Sequence, residues 1–462
     1  MDNLIIIGGG LSGCEAAWQV AERGLKVILY EMRPNKFTDA HTSSYLAELV
    51  CSNSLGSNLL DRASGLLKEE IRRLDSLLLK CAESAAIPAG GALAVDREVF
   101  AKSVTDKIST HPNIRVIRQE VTEIPDQPVI IASGPLTSVR LANEISRFTG
   151  RKHLFFFDAI APIVVLDSID MNIAFKGSRY DRGSLEEGDY INCPFTKQQY
   201  LDFIDALLAA EWTELKGFET DILHGVVAGA HAFFEGCLPV EILARRDPEA
   251  LTYGPLRPVG LTHHLTGAGR PHAVAQLRQD NVAGTLYNLV GFQTNLKQSD
   301  QSRVFRMIPG LKKAEFVRYG RMHRNTFIYS PAVLFPTLQF RKRETVFFAG
   351  QITGVEGYIG NIATGLLAGI NAAHSLLGLP LIQLPETTML GALCHYICTA
   401  SAHDFQPMKA NFGLMPASDE IKTIRSKQER SRAYCERALM TLDTYLAAQE
   451  ITIGKLCKPG VY

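Results

Sequence analysis

Three glycines set directly behind a short apolar run constrain this chain more than any other feature. Gly8, Gly10 and Gly13 form G-x-G-x-x-G after Leu4-Ile5-Ile6-Ile7. A continuous aliphatic run of that length suits a parallel strand covered on both faces. Helical spacing over residues 14–23 puts Ala16, Ala17 and Val20 on an inner face, Gly24 stops the helix, and residues 26–31 return as a second strand. The expected unit is βαβ. In it Gly8 permits the tight turn, Gly10 lets backbone N–H groups approach a pyrophosphate, and Gly13 allows close packing of helix on strand. The helix N-terminus then favours the phosphate charge. Gly8, Gly9, Gly10, Leu11, Ser12 and Gly13 are the expected phosphate-side contacts. Glu31 ends the second strand 18 residues after Gly13, placed to accept hydrogen bonds from an adenosine ribose without a 2′-phosphate.

A late segment favours FAD over NAD as the tightly held dinucleotide. Phe348-Ala349-Gly350-Gln351 precedes Gly354, Gly357 and Gly360 and a helix expected from about residue 361, which would bring a second helix N-terminus to the flavin end. Gly350 and Gln351 are therefore added to the expected cofactor contacts. No second complete G-x-G-x-x-G occurs, so a reduced nicotinamide would dock only transiently.

At 462 residues the chain exceeds one small core. Strand 129–132 and strand 346–349 are expected in one sheet with the first βαβ unit. Between about residues 158 and 330 the pattern changes to aromatic-rich strands, glycine turns and scattered arginines. The expected fold is α/β, a Rossmann-like FAD-binding domain of the two-dinucleotide-binding flavoprotein type, interrupted by an α+β insertion domain. Its expected boundaries are 1–160 for the first FAD segment, 161–330 for the insertion and 331–462 for the second FAD segment with C-terminal helices, including a basic amphipathic stretch over 421–446.

Lys plus Arg equal Asp plus Glu at 48 each, so any polyanion must be met by a local patch and not by a global field. The stretch from Arg318 to Asn325, with Tyr319, Arg321, His323 and Arg324, has a composition suited to phosphate contact and base stacking, and equally to a solvated strand edge. Arg425, Lys427, Arg430, Arg432 and Arg437 would extend a phosphate track or form a wet helix face.

The nine cysteines are odd in number and irregularly spaced, which argues for a reducing compartment and free thiols. The N-terminus lacks the basic start and apolar run of a signal peptide, and the apolar stretch over 362–379 carries Asn371 and His374, which suits a buried helix better than a membrane span. A cytoplasmic protein with no membrane and no metal partner is expected. Cys394 and Cys398 stand one helical turn apart, but no second pair follows, and core packing is the better reading. Cys237 precedes Pro239 and a helix start, which lowers a thiol pKa, while Glu235 and Glu241 oppose that. Cys51 lies in Glu48-Leu49-Val50-Cys51-Ser52-Asn53-Ser54, among capping-type residues. For either thiol the sequence leaves burial and reactivity open.

With these residues in view, the chain closely resembles the folate- and FAD-dependent tRNA (uracil-5-)-methyltransferase family, TrmFO, once called Gid. The resemblance runs along nearly the whole chain. It is carried by residues 8–18 (GGGLSGCEAAW), 31–34 (EMRP), 47–54 (AELVCSNS), 88–97 (PAGGALAVDR), 234–241 (FEGCLPVE), 290–294 (VGFQT) and 349–358 (AGQITGVEGY). It implies methylation of carbon 5 of the T-loop uridine in the tRNA T-arm, with carbon from 5,10-methylenetetrahydrofolate, reducing equivalents from NAD(P)H, and FAD carrying both. It also implies catalytic roles for Cys237, Cys51 and Tyr358, with the Cys237 thiolate adding to uracil carbon 6. Related flavoproteins that modify wobble uridines are disfavoured by the Phe-Glu-Gly-Cys block. A flavin disulfide oxidoreductase would need C-x-x-C or C-x-x-x-x-C, and neither spacing occurs. A non-catalytic RNA-binding flavoprotein is the remaining alternative, and it predicts no role for Cys237.

Overall fold

The computed structural model describes residues 3–38, 40–151, 154–181, 183, 185, 187–213, 226–227, 238–261, 271–401 and 405–448. The first third runs β1 (Leu4–Ile7), α1 (Leu11–Glu22), β2 (Val27–Glu31), β3 (Ser54–Ser57), α2 (Ala63–Arg73), α3 (Leu77–Ser84), β4 (Ala86–Ile87), β5 (Ala92–Val95), α4 (Arg97–Thr110), β6 (Ile114–Arg118), β7 (Val129–Ile131) and α5 (Val139–Thr149). The middle runs β8 (Leu154–Ala159), β9 (Ile163–Val165), β10 (Phe175–Lys176), β11 (Tyr190–Phe195), α6 (Lys197–Leu208), β12 (Val226–Val227), α7 (Val240–Arg246), α8 (Ala250–Tyr253), β13 (Ala273–Gln279), β14 (Leu286–Leu289), α9 (Gln298–Phe305), β15 (Phe316–Arg318) and β16 (Met322–Phe327). The remainder runs α10 (Ser330–Val333), β17 (Val346–Phe348), α11 (Tyr358–Leu377), α12 (Met389–Thr399), α13 (Asp419–Thr423) and α14 (Lys427–Ala448).

Five strands form a parallel sheet in the order β17-β7-β1-β2-β6. All four residues of β1 are buried, as a parallel strand covered on both faces requires. The strand order reverses between β1 and β7, so a crevice opens there at the carboxyl ends of the strands. This is a Rossmann-like core, assembled from both ends of the chain. A second sheet, β10-β11-β13-β14-β9-β15, comes from the middle of the sequence, and its neighbouring pairs are antiparallel. Each sheet has its own apolar core. One core draws on residues 4–145 and 327–446, the other on residues 164–314. Two three-stranded sheets, β12-β8-β16 and β3-β5-β4, complete the strands among the described residues.

The long helix α11 lies tightly across α1. A Cβ at Gly365 would sit 2.4 Å from the Ser12 carbonyl oxygen, and one at Gly369 would sit 2.7 Å from that of Ala16. Only glycine permits that approach, and it brings the N-termini of both helices to the same crevice. Within α11, Asn371 donates to the carbonyls of Thr337 and Ile382 and accepts the Ile382 N–H. Its buried amide is thus satisfied by protein partners. Among the described residues no helix is long and apolar enough to cross a membrane.

Local boundaries differ from expectation where glycines obscure the periodicity. Helix α1 begins at Leu11 and not at residue 14, and α11 begins at Tyr358 and not at residue 361. The basic stretch over 421–446 is not one helix, because Ser426 and its neighbours separate α13 from α14.

Candidate cofactor cleft and the Cys51 junction

The crevice at the ends of β1, β2 and β7 runs from Glu31, Met32 and Val121 at one end to Val50, Gln351 and Tyr358 at the other. Gly8, Gly10, Leu11 and Ser12 line it between these ends. Gly8 has a φ of +108°, and a Cβ there would lie 2.5 Å from the Ala132 carbonyl oxygen. At Gly13 a Cβ would lie 1.8 Å from the Gly8 carbonyl oxygen, whereas Gly10 has nothing within 4 Å of that position. Gly8 and Gly13 are thus glycines for the protein's own packing, and Gly10 for space in the cleft. Gly9 lies behind the cleft surface, its N–H donating to Glu31 Oε2 at 3.0 Å.

Glu31 accepts that N–H and, on Oε1, the Arg33 N–H and Nε at 3.0 and 2.9 Å. A carboxylate has about four acceptor sites, so these three bonds leave capacity on Oε2 for a ribose hydroxyl. Arg33 is 1% exposed and also reaches Glu48 at 2.9 Å. Burial pushes the Glu31 carboxyl up, but the hydrogen-bonded Arg33 guanidinium outweighs it and holds Glu31 below the usual carboxylate range.

At the other end Gly350 sits against Ser12, whose hydroxyl donates to the Asn361 carbonyl at 2.8 Å. Gln351 donates to Glu356 at 2.5 Å while lining the cleft. Asn361, in the first turn of α11, is buried, and its Oδ1 has no hydrogen-bond partner. A buried unsatisfied amide oxygen facing a cleft calls for a donor from a ligand. The glycine cradle, the two helix N-termini, the acid at Glu31 and this orphaned oxygen fit an elongated dinucleotide such as FAD.

Tyr358 closes this end of the cleft. Its hydroxyl accepts the N–H groups of Cys51 at 2.7 Å and Ser52 at 3.2 Å. Burial, and next the nearby Cys51, push the phenol up, so it stays neutral. With both lone pairs engaged, the hydroxyl proton remains available for donation. The carbonyl side of the same segment is held by arginines. Arg97 donates to Leu49 O at 3.0 Å and Cys51 O at 3.4 Å, and Arg318 donates to Val50 O at 2.6 Å. Two residues on, buried Asn53 donates to Val95 O and Gln279 O and accepts from Arg278 Nε and Asn288 Nδ2. Asn53 therefore pins the Cys51 segment to both β5 and the six-stranded sheet.

Arg318 corrects one expectation. It is not an outward phosphate contact but a partly buried group turned onto Val50, and Tyr319 stacks on Phe316 with ring centroids 5.4 Å apart. The side chains of His323 and Arg324 lie outside the described residues, as does Cys237. Arg425, Lys427, Arg430 and Arg432 are exposed, and Arg437 donates to Pro416 O at 2.6 Å. The seven described cysteines form no disulfide. Cys394 and Cys398 are buried, and among the described residues no group of histidine, cysteine and acid side chains could hold a metal ion. The placing of Asn53, Arg97 and Arg278 around Cys51 had no local sequence signal.

The family model described as "Glucose inhibited division protein A" (GIDA) matches residues 3–380. Curated relatives include "Methylenetetrahydrofolate--tRNA-(uracil-5-)-methyltransferase TrmFO" of Anoxybacillus flavithermus, 54% identical over 441 residues that cover 96% of this chain and 98% of the relative. The protein of the same name from Pelotomaculum thermopropionicum is 55% identical over 441 residues, covering 95% and 97%. That from Bacillus subtilis is 53% identical over 439 residues, covering 95% and 97%. Among solved structures, Aquifex aeolicus GidA superposes with a TM-score of 0.67 at 16% identity, covering 97% of this chain and 75% of that one. That likeness concerns the fold. With relatives of this identity spanning nearly the whole sequence, the chain belongs to the GIDA family and, within it, to the TrmFO proteins.

Proposed function

We propose that this chain methylates carbon 5 of the T-loop uridine in tRNA, taking the carbon from 5,10-methylenetetrahydrofolate and reducing equivalents from NAD(P)H. The observation that carries the reading is the 53–55% identity to TrmFO proteins over about 95% of the chain. A cleft that fits a dinucleotide, with Tyr358 and the Cys51 segment at one end, supports it. FAD, when bound, supplies carriage of the one-carbon unit and the hydride that completes the methyl. The glycine turn and the N-terminus of α1 would hold its pyrophosphate, and Glu31 its ribose. Tyr358 would present a neutral hydroxyl, and with it a proton, at the reacting end.

Carbon 5 of uracil is a poor nucleophile. Addition of the Cys237 thiolate to carbon 6 forms an S–C bond and leaves an enolate whose carbon 5 can attack an electrophilic methylene. Loss of the carbon-5 proton with release of the methylene from its carrier would leave an exocyclic methylene on carbon 5, and hydride addition there with expulsion of the thiolate would give the methyl and restore the ring. Cys51 would serve in proton transfer or in shielding the reacting carbon at this end of the cleft.

The test incubates the FAD-replete protein with unmodified tRNA, NADH and methylenetetrahydrofolate labelled in the methylene carbon. Labelled 5-methyluridine is expected, and Cys237→Ala should abolish it while leaving bound flavin unchanged. Absence of label in the wild-type product under flavin-reducing conditions would overturn the reading.

A further inference from the structure

The segment carrying Cys51 is held from two bodies at once. Arg97, the first residue of α4, grips Leu49 O and Cys51 O, while Arg318, at the end of β15 in the six-stranded sheet, grips Val50 O. Arg278 on β13 is buried and anchored through Nε to Asn53, two residues from Cys51, at 2.9 Å. Beside these three guanidiniums stands the carboxylate of Asp280. It pairs with Arg97 at 3.0 Å and also accepts from Asn288 at 3.0 Å. Tyr358, facing the segment from α11, is neutral and adds no charge. Clustered guanidiniums in excess of acid, away from bulk water, stabilise a nearby anion and lower the pKa of a nearby thiol.

We propose that Arg318 is a positioning residue for Cys51: with Arg97 and Arg278 it fixes the 49–52 segment and holds the Cys51 sulfur as a thiolate near neutral pH. The six-stranded sheet thereby sets the reactivity of a thiol at the cofactor cleft. This rests on the reading of Cys51 as a participant in methyl transfer, and its chemical consequence is direct. Only the thiolate can accept a proton or attack an electrophile, whereas a neutral thiol in the same place would be inert toward both.

The test follows alkylation of Cys51 by iodoacetamide across pH in the full FAD-replete chain, quantified on the Cys51 peptide by mass spectrometry. The wild-type midpoint is expected below the ordinary thiol value of about 8.5. Arg318→Gln should raise it by about one pH unit, whereas Arg318→Lys, which keeps the charge, should leave it within a few tenths. Asp280→Asn removes the acid paired with Arg97 and should lower the midpoint, an opposite sign that loosening of the loop alone would not produce. If flavin content shows that Arg318→Gln does not fold, the Asp280→Asn shift decides. An unmoved midpoint in the folded variants, or equal shifts in the glutamine and lysine variants, overturns the proposal. Methyl transfer is measured in the same preparations. Its absence from the wild type counts against the proposed reaction, whereas normal transfer beside an unmoved alkylation profile counts against the arginine device.

Discussion

The Tyr358 hydroxyl accepts the backbone N–H of Cys51 at 2.7 Å, tying the first residue of α11 to a segment 307 positions earlier in the chain. With Ser52 bound to the same oxygen at 3.2 Å, one phenol terminates two backbone donors that no strand or helix serves. Tyr358→Phe leaves both donors without that acceptor. A partly buried unsatisfied donor costs about 1–3 kcal/mol, so exchange of the Cys51 and Ser52 amide hydrogens should accelerate at least about tenfold. Hydrogen-exchange mass spectrometry of this segment measures it. Unchanged exchange would mean that the tyrosine does not order the loop.

The glycines of the turn separate into two kinds that substitution distinguishes. Gly13→Ala drives a methyl into the Gly8 carbonyl oxygen at 1.8 Å, a backbone atom that cannot move aside. Loss of both stability and bound flavin is expected. Gly10 has a φ of −78° and open space at its Cβ position. Gly10→Ala should therefore leave the melting temperature of the flavin-free protein within about 2 °C of wild type, a change below about 0.5 kcal/mol. Its methyl would still intrude where a pyrophosphate approaches, and flavin affinity should fall at least tenfold. Flavin absorbance and thermal melting of both variants check the contrast. Equal behaviour would remove the distinction between packing glycine and cofactor glycine.

Arg33 is buried between two carboxylates, Glu31 and Glu48, each at 2.9 Å. Arg33→Met keeps most of the volume but leaves both acids without their cation. Breaking a buried ion pair from one side costs about 3–5 kcal/mol, and denaturant unfolding should show a loss of that order. Flavin binding should weaken as well, because Glu31 loses the partner that orients it. A variant as stable as the wild type would show that the two acids relax into water or become protonated at little cost.

Much of the cleft was legible because its parts are local. The glycine turn, the aliphatic strand ahead of it and Glu31 lie within the first 31 residues, and the second helix N-terminus follows Gly350 at a short interval. The Cys51 junction was not legible. Asn53 meets Gln279 and Asn288 across 226 and 235 residues, and Arg318 meets Val50 across 268. Neither periodicity nor turn chemistry reports on such pairs. Arg318 shows the hazard directly. In sequence it stands in a basic, aromatic run that reads equally as a phosphate-facing surface or a solvated strand edge, yet beyond the register shift after Phe316 in β15 it donates to the Val50 carbonyl. Composition gives the charge of a segment and not the face it presents.

Glu70 carries the most specific pH prediction. It is fully buried on α2 and accepts the N–H groups of Met389 at 2.6 Å and Leu390 at 2.8 Å, capping α12. Burial pushes its carboxyl up from 4.5 to about 7, with those two N–H groups and Arg73 acting the other way. Below about pH 4.5 the group is protonated in folded and unfolded chains alike, and its favourable contribution is fully present. Between 4.5 and about 7 the unfolded chain ionises first, so stability falls as pH rises, and above about 7 the loss is complete. Glu31 and Glu48, held below the usual range, act in the opposite sense: their contribution is present above 4.5 and lost as the pH falls through their depressed values. Glu70→Gln isolates the first effect. The stability of wild type minus that of the variant, from chemical denaturation at a series of pH values, should fall by up to about 3 kcal/mol between pH 4.5 and 7. Parallel curves for the two proteins would mean that Glu70 ionises as easily in the folded chain as in water, and that its carboxylate caps α12 without cost.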